Sequence, residues 1–163
     1  ALARGELKTR PIHGDPKVNN VMLCSTSGRA LAMIDLDTVK PGLLHYDIGD
    51  CCRSGCNRQG EETEDLDAVV FDLSLCEAIL EGYLSAAKET LNNHDFDYIV
   101  DAIHLITFEL GLRFLTDHLA GNVYFKVNRP DHNLHRAKVQ FKLVESIEQQ
   151  EGTLRAIVER LRP

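Results

Sequence analysis

Two carboxylates and one amide stand at spacings that suit metal-assisted group transfer. Asp15 lies in the run His13-Gly14-Asp15-Pro16-Lys17-Val18-Asn19-Asn20, and Asn20 follows it by five residues. Fifteen residues after Asn20 comes Asp35, in Met33-Ile34-Asp35-Leu36-Asp37. Phosphoryl transfer from ATP asks for little covalent chemistry from a protein. It needs a carboxylate at the acceptor hydroxyl, hard oxygen ligands for Mg²⁺ and groups around the phosphates. Asp15 suits the first task, and Asn20 with Asp35 suits the second. Each motif alone reads better as turn-forming Asp and Asn; the two together, with the strand pair between them, favour phosphoryl transfer. His13 is expected to pack the loop, because Asp15 already fills the acceptor-facing role. Lys17 reads as an exposed loop lysine or as a partner for a phosphate. Asp37 reads as a metal or substrate contact, or as a group that bonds its own turn.

The elements between these residues must bring them together. Val21-Met22-Leu23-Cys24 and Ala30-Leu31-Ala32-Met33-Ile34 are short apolar runs separated by Ser25-Thr26-Ser27-Gly28-Arg29. That pattern predicts a hairpin, which returns the chain from Asn20 to Asp35. Residues 35–60 read as an ordered loop with a short helix near 47–53. The acidic stretch from Gln59 to Asp67 reads as a solvated surface segment.

The remainder is helical by period. Residues 72–89 carry a stripe of Leu75, Ile79, Leu80, Tyr83 and Ala87, capped by Asp72 or by a Ser74–Glu77 capping box. Residues 96–119 carry one stripe from Ile99 to Phe114 and a second through Leu105, Phe108, Leu112, Leu115 and Leu119. A helix apolar on most sides is expected to be central and buried. A third helix is expected over 134–150, broken by Gly152, and Leu154, Ile157, Val158 and Leu161 mark a last amphipathic one. The fold class is therefore α+β, mostly helical.

The chain has 163 residues, 44% hydrophobic and 26% charged, with a net charge of −7. That balance suits a single soluble domain. The acidic charge argues against nucleic-acid phosphates as partners, and no run reaches the length of a membrane span. Five cysteines form no regular framework, which predicts free thiols in a reducing, cytoplasmic compartment. Cys51, Cys52 and Cys56, with His45 nearby, raise the question of Zn²⁺. No second ligand pair follows, so small buried thiols are the better account.

The loop and the Ile34-Asp35-Leu36-Asp37 strand end resemble the aminoglycoside phosphotransferase and choline kinase superfamily, which shares the protein-kinase fold. Asp37 stands where protein kinases carry a glycine, which points to the small-molecule branch. A narrower likeness to N-acetylhexosamine 1-kinases spans about 11–57 and 104–147. It includes Asp35 to Gly42, Asp47-Ile48-Gly49-Asp50 with Arg53, Thr107 to Asp117, and Gly121 to Lys126. Gly14 stands where those sugar kinases are expected to carry Asn.

The resemblance implies a kinase-like C-terminal lobe over 1–163, with a hairpin that carries the catalytic loop and the metal-binding Asp. By it, Asp15 is the base at the sugar C1 hydroxyl, and Asn20 and Asp35 hold Mg²⁺ for ATP. Arg113, Tyr124 and Asp37 fall at substrate-contacting positions, and Asp47 supports the loop with His13. On its residues alone, Arg113 reads equally as an ion pair with Glu109 or Asp117, Tyr124 as a core aromatic, and Asp47 as a helix N-cap. The likeness also implies a partner, the enzyme's own N-terminal ATP-gripping lobe, because neither a Gly-rich phosphate loop nor its lysine-bearing strand is found. The chain thus reads as cut from a longer protein, and as inactive alone. The rivals are a kinase for choline, homoserine or an aminoglycoside, and a non-catalytic helical module.

Overall fold

A computed structural model describes residues 1–87 and 89–163. Four short strands come first, in two antiparallel pairs. Strand β1 (Arg10–Ile12) pairs with β4 (Lys40–Gly42), and β2 (Val21–Leu23) pairs with β3 (Ala30–Met33). The β2–β3 pair is the expected hairpin. Val21 faces Met33, and Ile34 N donates to Asn20 O at 3.0 Å, one step beyond the ladder. Asp35 therefore follows the residue opposite Asn20.

Among the described residues six α-helices follow: α1 (Leu44–Gly55), α2 (Leu73–Ala87), α3 (Asn93–Asp97), α4 (Ile99–Leu119), α5 (His132–Gln149) and α6 (Glu151–Leu161). The mostly helical α+β class holds. The short helix expected near 47–53 is longer at both ends. The break between α5 and α6 falls at Gln150, so Gly152 lies inside α6. At α2, Asp72 Oδ1 accepts from the backbone N–H groups of Ser74 (2.9 Å) and Leu75 (3.0 Å). Ser74 does not build the predicted capping box, because its hydroxyl donates to Asp72 as well.

The core is mostly aliphatic, as the scarcity of aromatics requires. Ile48, Leu80, Ile99, Ile103, Val139, Leu143, Ile147 and Leu154 are all buried in one cluster. Helix α4 packs between α1 and α5. Its first stripe faces them, but the second does not disappear into the core. Leu105, Phe108, Leu112 and Leu119 are exposed, since α1 and α5 cover two sides of α4 and leave a third open. All five cysteines are free thiols. Cys52, Cys56 and Cys76 are wholly buried, and S–H donation from Cys52 and Cys56 draws the Cys76 thiol below its ordinary pKa.

The crossing of α1 over α4 depends on a glycine. A Cβ at Gly49 would lie 2.8 Å from Ala102 O and 2.9 Å from the Ile106 side chain. Neither backbone can yield without separating the helices that carry the two halves of the cavity described below. Gly49→Val is expected to destabilise the chain by about 1–3 kcal/mol, the usual cost of overpacking. A fall in the denaturant midpoint at unchanged slope checks it.

Candidate active site

The loop from His13 to Asn20 is held in place by α1. His13 N donates to Asp47 Oδ2 at 2.7 Å, and Gly14 N donates to Asp47 Oδ1 at 2.9 Å. Asp47 sits in the first turn of α1 but does not cap it, as that end has no side-chain cap. Its carboxylate reaches across to the loop instead. A second tie comes from the same helix, where Ser54 Oγ accepts from Val18 N at 3.0 Å.

His13 links the loop to the hairpin. Its Nε2 lies 3.0 Å from Ile34 O, and its Nδ1 accepts from Asp15 N at 3.4 Å. That pattern assigns the neutral tautomer with the proton on Nε2. Thr38 Oγ1 donates to His13 O at 2.7 Å. Gly14 has φ of 84°, and a Cβ there would stand 2.7 Å from Thr38 O. Left-handed backbone and this close approach together demand glycine, so this loop has no room for the Asn expected in hexosamine kinases.

Asp15 is half-buried at the centre of a short network. Its Oδ2 accepts from Lys17 Nζ at 2.7 Å and from Asn20 Nδ2 at 3.2 Å. Asn20 Nδ2 also donates to Asp15 O at 2.8 Å. Burial opposes the charge on Lys17, but the hydrogen bond and charge of Asp15 outweigh it and raise the lysine pKa. Asp35 is exposed, at the left-handed φ of 65° that ends the hairpin. Such a conformation is uncommon for a residue with a Cβ, and Asp adopts it more readily than most. Asn20 and Asp35 supply an amide and a carboxylate oxygen, hard donors of the kind Mg²⁺ takes.

Asp15 opens onto a cavity of about 790 Å³ shared by the loop, α1, α4 and the segment after α4. Arg113, Tyr124 and Phe125 line it with Asp15, whereas Asn20, Asp35, Asp37, His13 and Asp47 do not. Asp37 is exposed in the turn after Asp35. Of the catalytic, metal and substrate residues that the resemblance implies, Asp15, Arg113 and Tyr124 thus face the cavity.

The expected ion pair between Arg113 and Asp117 is not formed. Asp117 accepts from the N–H groups of Val123 (2.9 Å), Tyr124 (2.8 Å) and Phe125 (2.9 Å), and from Asn133 Nδ2 (2.8 Å). Arg113 instead lies over the rings of Tyr124 (5.7 Å) and Phe125 (5.4 Å), a cation–π arrangement. Among the described residues it makes no ion pair, with Glu109 or any other acid. Tyr124 is 74% exposed, so it is no core aromatic.

Several lining residues carry no role in the sequence reading. Arg53 is 3% exposed and pairs with Asp50 (2.8 Å) and Glu61 (2.5 Å). Burial pushes the Asp50 carboxyl above its ordinary range, against the pull of Arg53. Glu62 meets Arg136 and His132, Glu64 meets Arg129, and His135 bonds Thr63 O. The acidic stretch from Gln59 to Asp67 is therefore not a free solvated segment; it is tied by its acids to α1 and α5 and forms a wall of the cavity. The Asp50-x-x-Arg53 spacing was the available signal, whereas the reach to α5 had none.

A mostly helical α+β chain whose small hairpin stands beside this cavity is consistent with a kinase-like fold. The model of the phosphotransferase enzyme family matches residues 1–87, more than half of the chain, so the chain belongs to that family. It is thereby a phosphotransferase acting on a small molecule, of the aminoglycoside phosphotransferase and choline kinase-like superfamily. Among the described residues, no helix is long and apolar enough to cross a membrane.

Asp117 offers a pH test of how the Tyr124 segment is held. Burial opposes its ionisation, but the three backbone donors prevail and hold its pKa below the usual aspartate range. A carboxyl depressed in the folded state contributes stability above the unfolded aspartate pKa of about 4 and loses it as pH falls through the folded value. Asp117→Ala is expected to lower the thermal midpoint at neutral pH and to flatten the acid limb below pH of about 4. An unchanged acid limb would contradict the assignment.

Proposed function

We propose that this chain is the catalytic lobe of a sugar kinase that transfers the γ-phosphoryl group of ATP to the anomeric hydroxyl of an N-acetylhexosamine. The observation that carries the reading is Arg113. It is stacked on Tyr124 and Phe125, has no acidic partner among the described residues, and faces the same cavity as Asp15. A guanidinium placed in this way is a donor for neutral oxygens such as an acetyl carbonyl or ring hydroxyls. The lining supports a neutral acceptor, because its five carboxylates are matched by five lysine and arginine side chains. A cationic acceptor such as choline or an aminoglycoside calls for an acidic excess that this lining lacks. The volume falls in the range of small-ligand sites.

In this reading Asp15 accepts the acceptor proton as the hydroxyl oxygen bonds to phosphorus and the bond to the ADP oxygen breaks. Lys17 and Asn20 occupy one carboxylate oxygen of Asp15, leaving the other for the hydroxyl. Asn20 and Asp35 would hold Mg²⁺, which would neutralise charge on the nucleotide phosphates. Asp37, beside Asp35 at the rim, is kept as a substrate contact, and His13 with Asp47 fix the loop. The partner is an N-terminal lobe that grips ATP. The exposed apolar side chains Met22, Leu23, Leu31, Met33 and Ile34 on and beside the hairpin are the apolar surface that this lobe and the adenine would cover. We place the enzyme in the cytoplasm.

ADP release, measured on the enzyme with that lobe present, tests the reading across amino sugars, choline, homoserine and aminoglycosides. Turnover is expected on an N-acetylhexosamine. Asp15→Asn is expected to cut it by about 10²–10⁴-fold, the usual contribution of a general base, with the fold intact by circular dichroism. Arg113→Ala is expected to raise KM for the sugar more than it lowers kcat. Turnover confined to a cationic acceptor would overturn the sugar assignment.

A further inference from the structure

Outside the cavity, the densest group of reactive side chains is the buried cysteine trio. Cys52 and Cys56 sit four residues apart at the end of α1, which places them on one face. Cys76 comes from the first turns of α2, and all three Sγ atoms lie within 4.8 Å of one another. Each residue is 0% exposed. Cys51 and His45, the other groups named from sequence, do not join them. His45 Nε2 is instead 2.8 Å from Asp95 O.

Three sulfurs at this separation suit one soft ion. Thiolates bound at about 2.3 Å around a three-coordinate centre stand roughly 4 Å apart, so the trio closes on an ion with small side-chain movements. Charge and ligand number then decide which ion. Structural Zn²⁺ takes four ligands, and no imidazole, carboxylate or fourth thiol joins the trio among the described residues. Zinc with three thiolates would also carry one negative charge, and copper(I) two, in a core made of side chains such as Val69, Phe71 and Leu80. Burying that charge is costly. A trivalent thiophilic ion gives a neutral complex.

We propose that Cys52, Cys56 and Cys76 form a three-thiolate site for one trivalent thiophilic ion, of which arsenic(III) is the representative. Binding of arsenous acid balances without a redox partner. Three arsenic–sulfur bonds form and three arsenic–oxygen bonds break. Each thiol proton leaves on a hydroxide as water, and arsenic stays trivalent. The bound ion would bridge α1, which holds the His13–Asn20 loop, to α2. A ligand that binds only the folded state stabilises it.

Native mass spectrometry of the full chain with sodium arsenite, under reducing conditions, tests this directly. The expected product gains one arsenic and loses three hydrogens, and its thermal midpoint rises with arsenite but not with zinc sulfate. Cys51→Ser is expected to retain both effects, and Cys76→Ser and Cys76→Val to lose both. Absence of arsenic on the unaltered chain would overturn the site, as would arsenic retained in the Cys76 variants. A one-to-one zinc complex of equal affinity would overturn the charge argument. The unaltered chain and Cys51→Ser keep the test decisive even if the Cys76 variants fail to fold.

Discussion

The candidate site depends first on one carboxylate accepting two backbone N–H groups. Asp47 receives His13 N and Gly14 N, and so fixes the two residues immediately before Asp15. Hydrogen bonds to a charged group contribute about 1.5–3 kcal/mol each, enough to hold a short loop that has little packing of its own. The position of Asp47 is in turn set by α1. Gly49, two residues further on, lets that helix lie against α4 with no intervening side chain. Since α4 carries Arg113, one helix crossing relates Asp15 to the opposite wall of the cavity.

The second wall follows the same logic. Asp117 gathers three consecutive N–H groups from Val123 to Phe125, so that two aromatic rings meet Arg113. In both places a buried or half-buried aspartate does for an irregular segment what a ladder of hydrogen bonds does for a strand. Unsatisfied backbone donors are costly, and a carboxylate can accept several at once. Neither aspartate lines the cavity, yet Asp47 fixes the residues before Asp15 and Asp117 fixes the rings that meet Arg113.

Much of this was legible in the residues. The hairpin between Asn20 and Asp35 followed from two apolar runs and a turn, and the helices followed from apolar period. Other features depended on partners far along the chain. The fourfold spacing of Arg113 and Asp117 suggested an ion pair, but Asp117 had better donors after the end of α4. The acids of 59–67 looked solvated because their cationic partners lie on separate elements: Arg53 on α1, Arg136 on α5 and Arg129 in the segment before α5. The second stripe of α4 looked like core because periodicity reports apolarity and not which side a neighbour covers. Cys76 lies twenty residues from Cys56, so no local spacing could unite it with the α1 thiols.

The claim that Asp47 holds the loop in working geometry is tested most directly by Asp47→Asn, read as kcat alongside backbone hydrogen exchange at His13 and Gly14. The account predicts faster exchange at those two amides and a kcat lowered by roughly tenfold or more, which corresponds to about 1.4 kcal/mol in the barrier, with the helices intact by circular dichroism. Unchanged kcat together with unchanged exchange would contradict it.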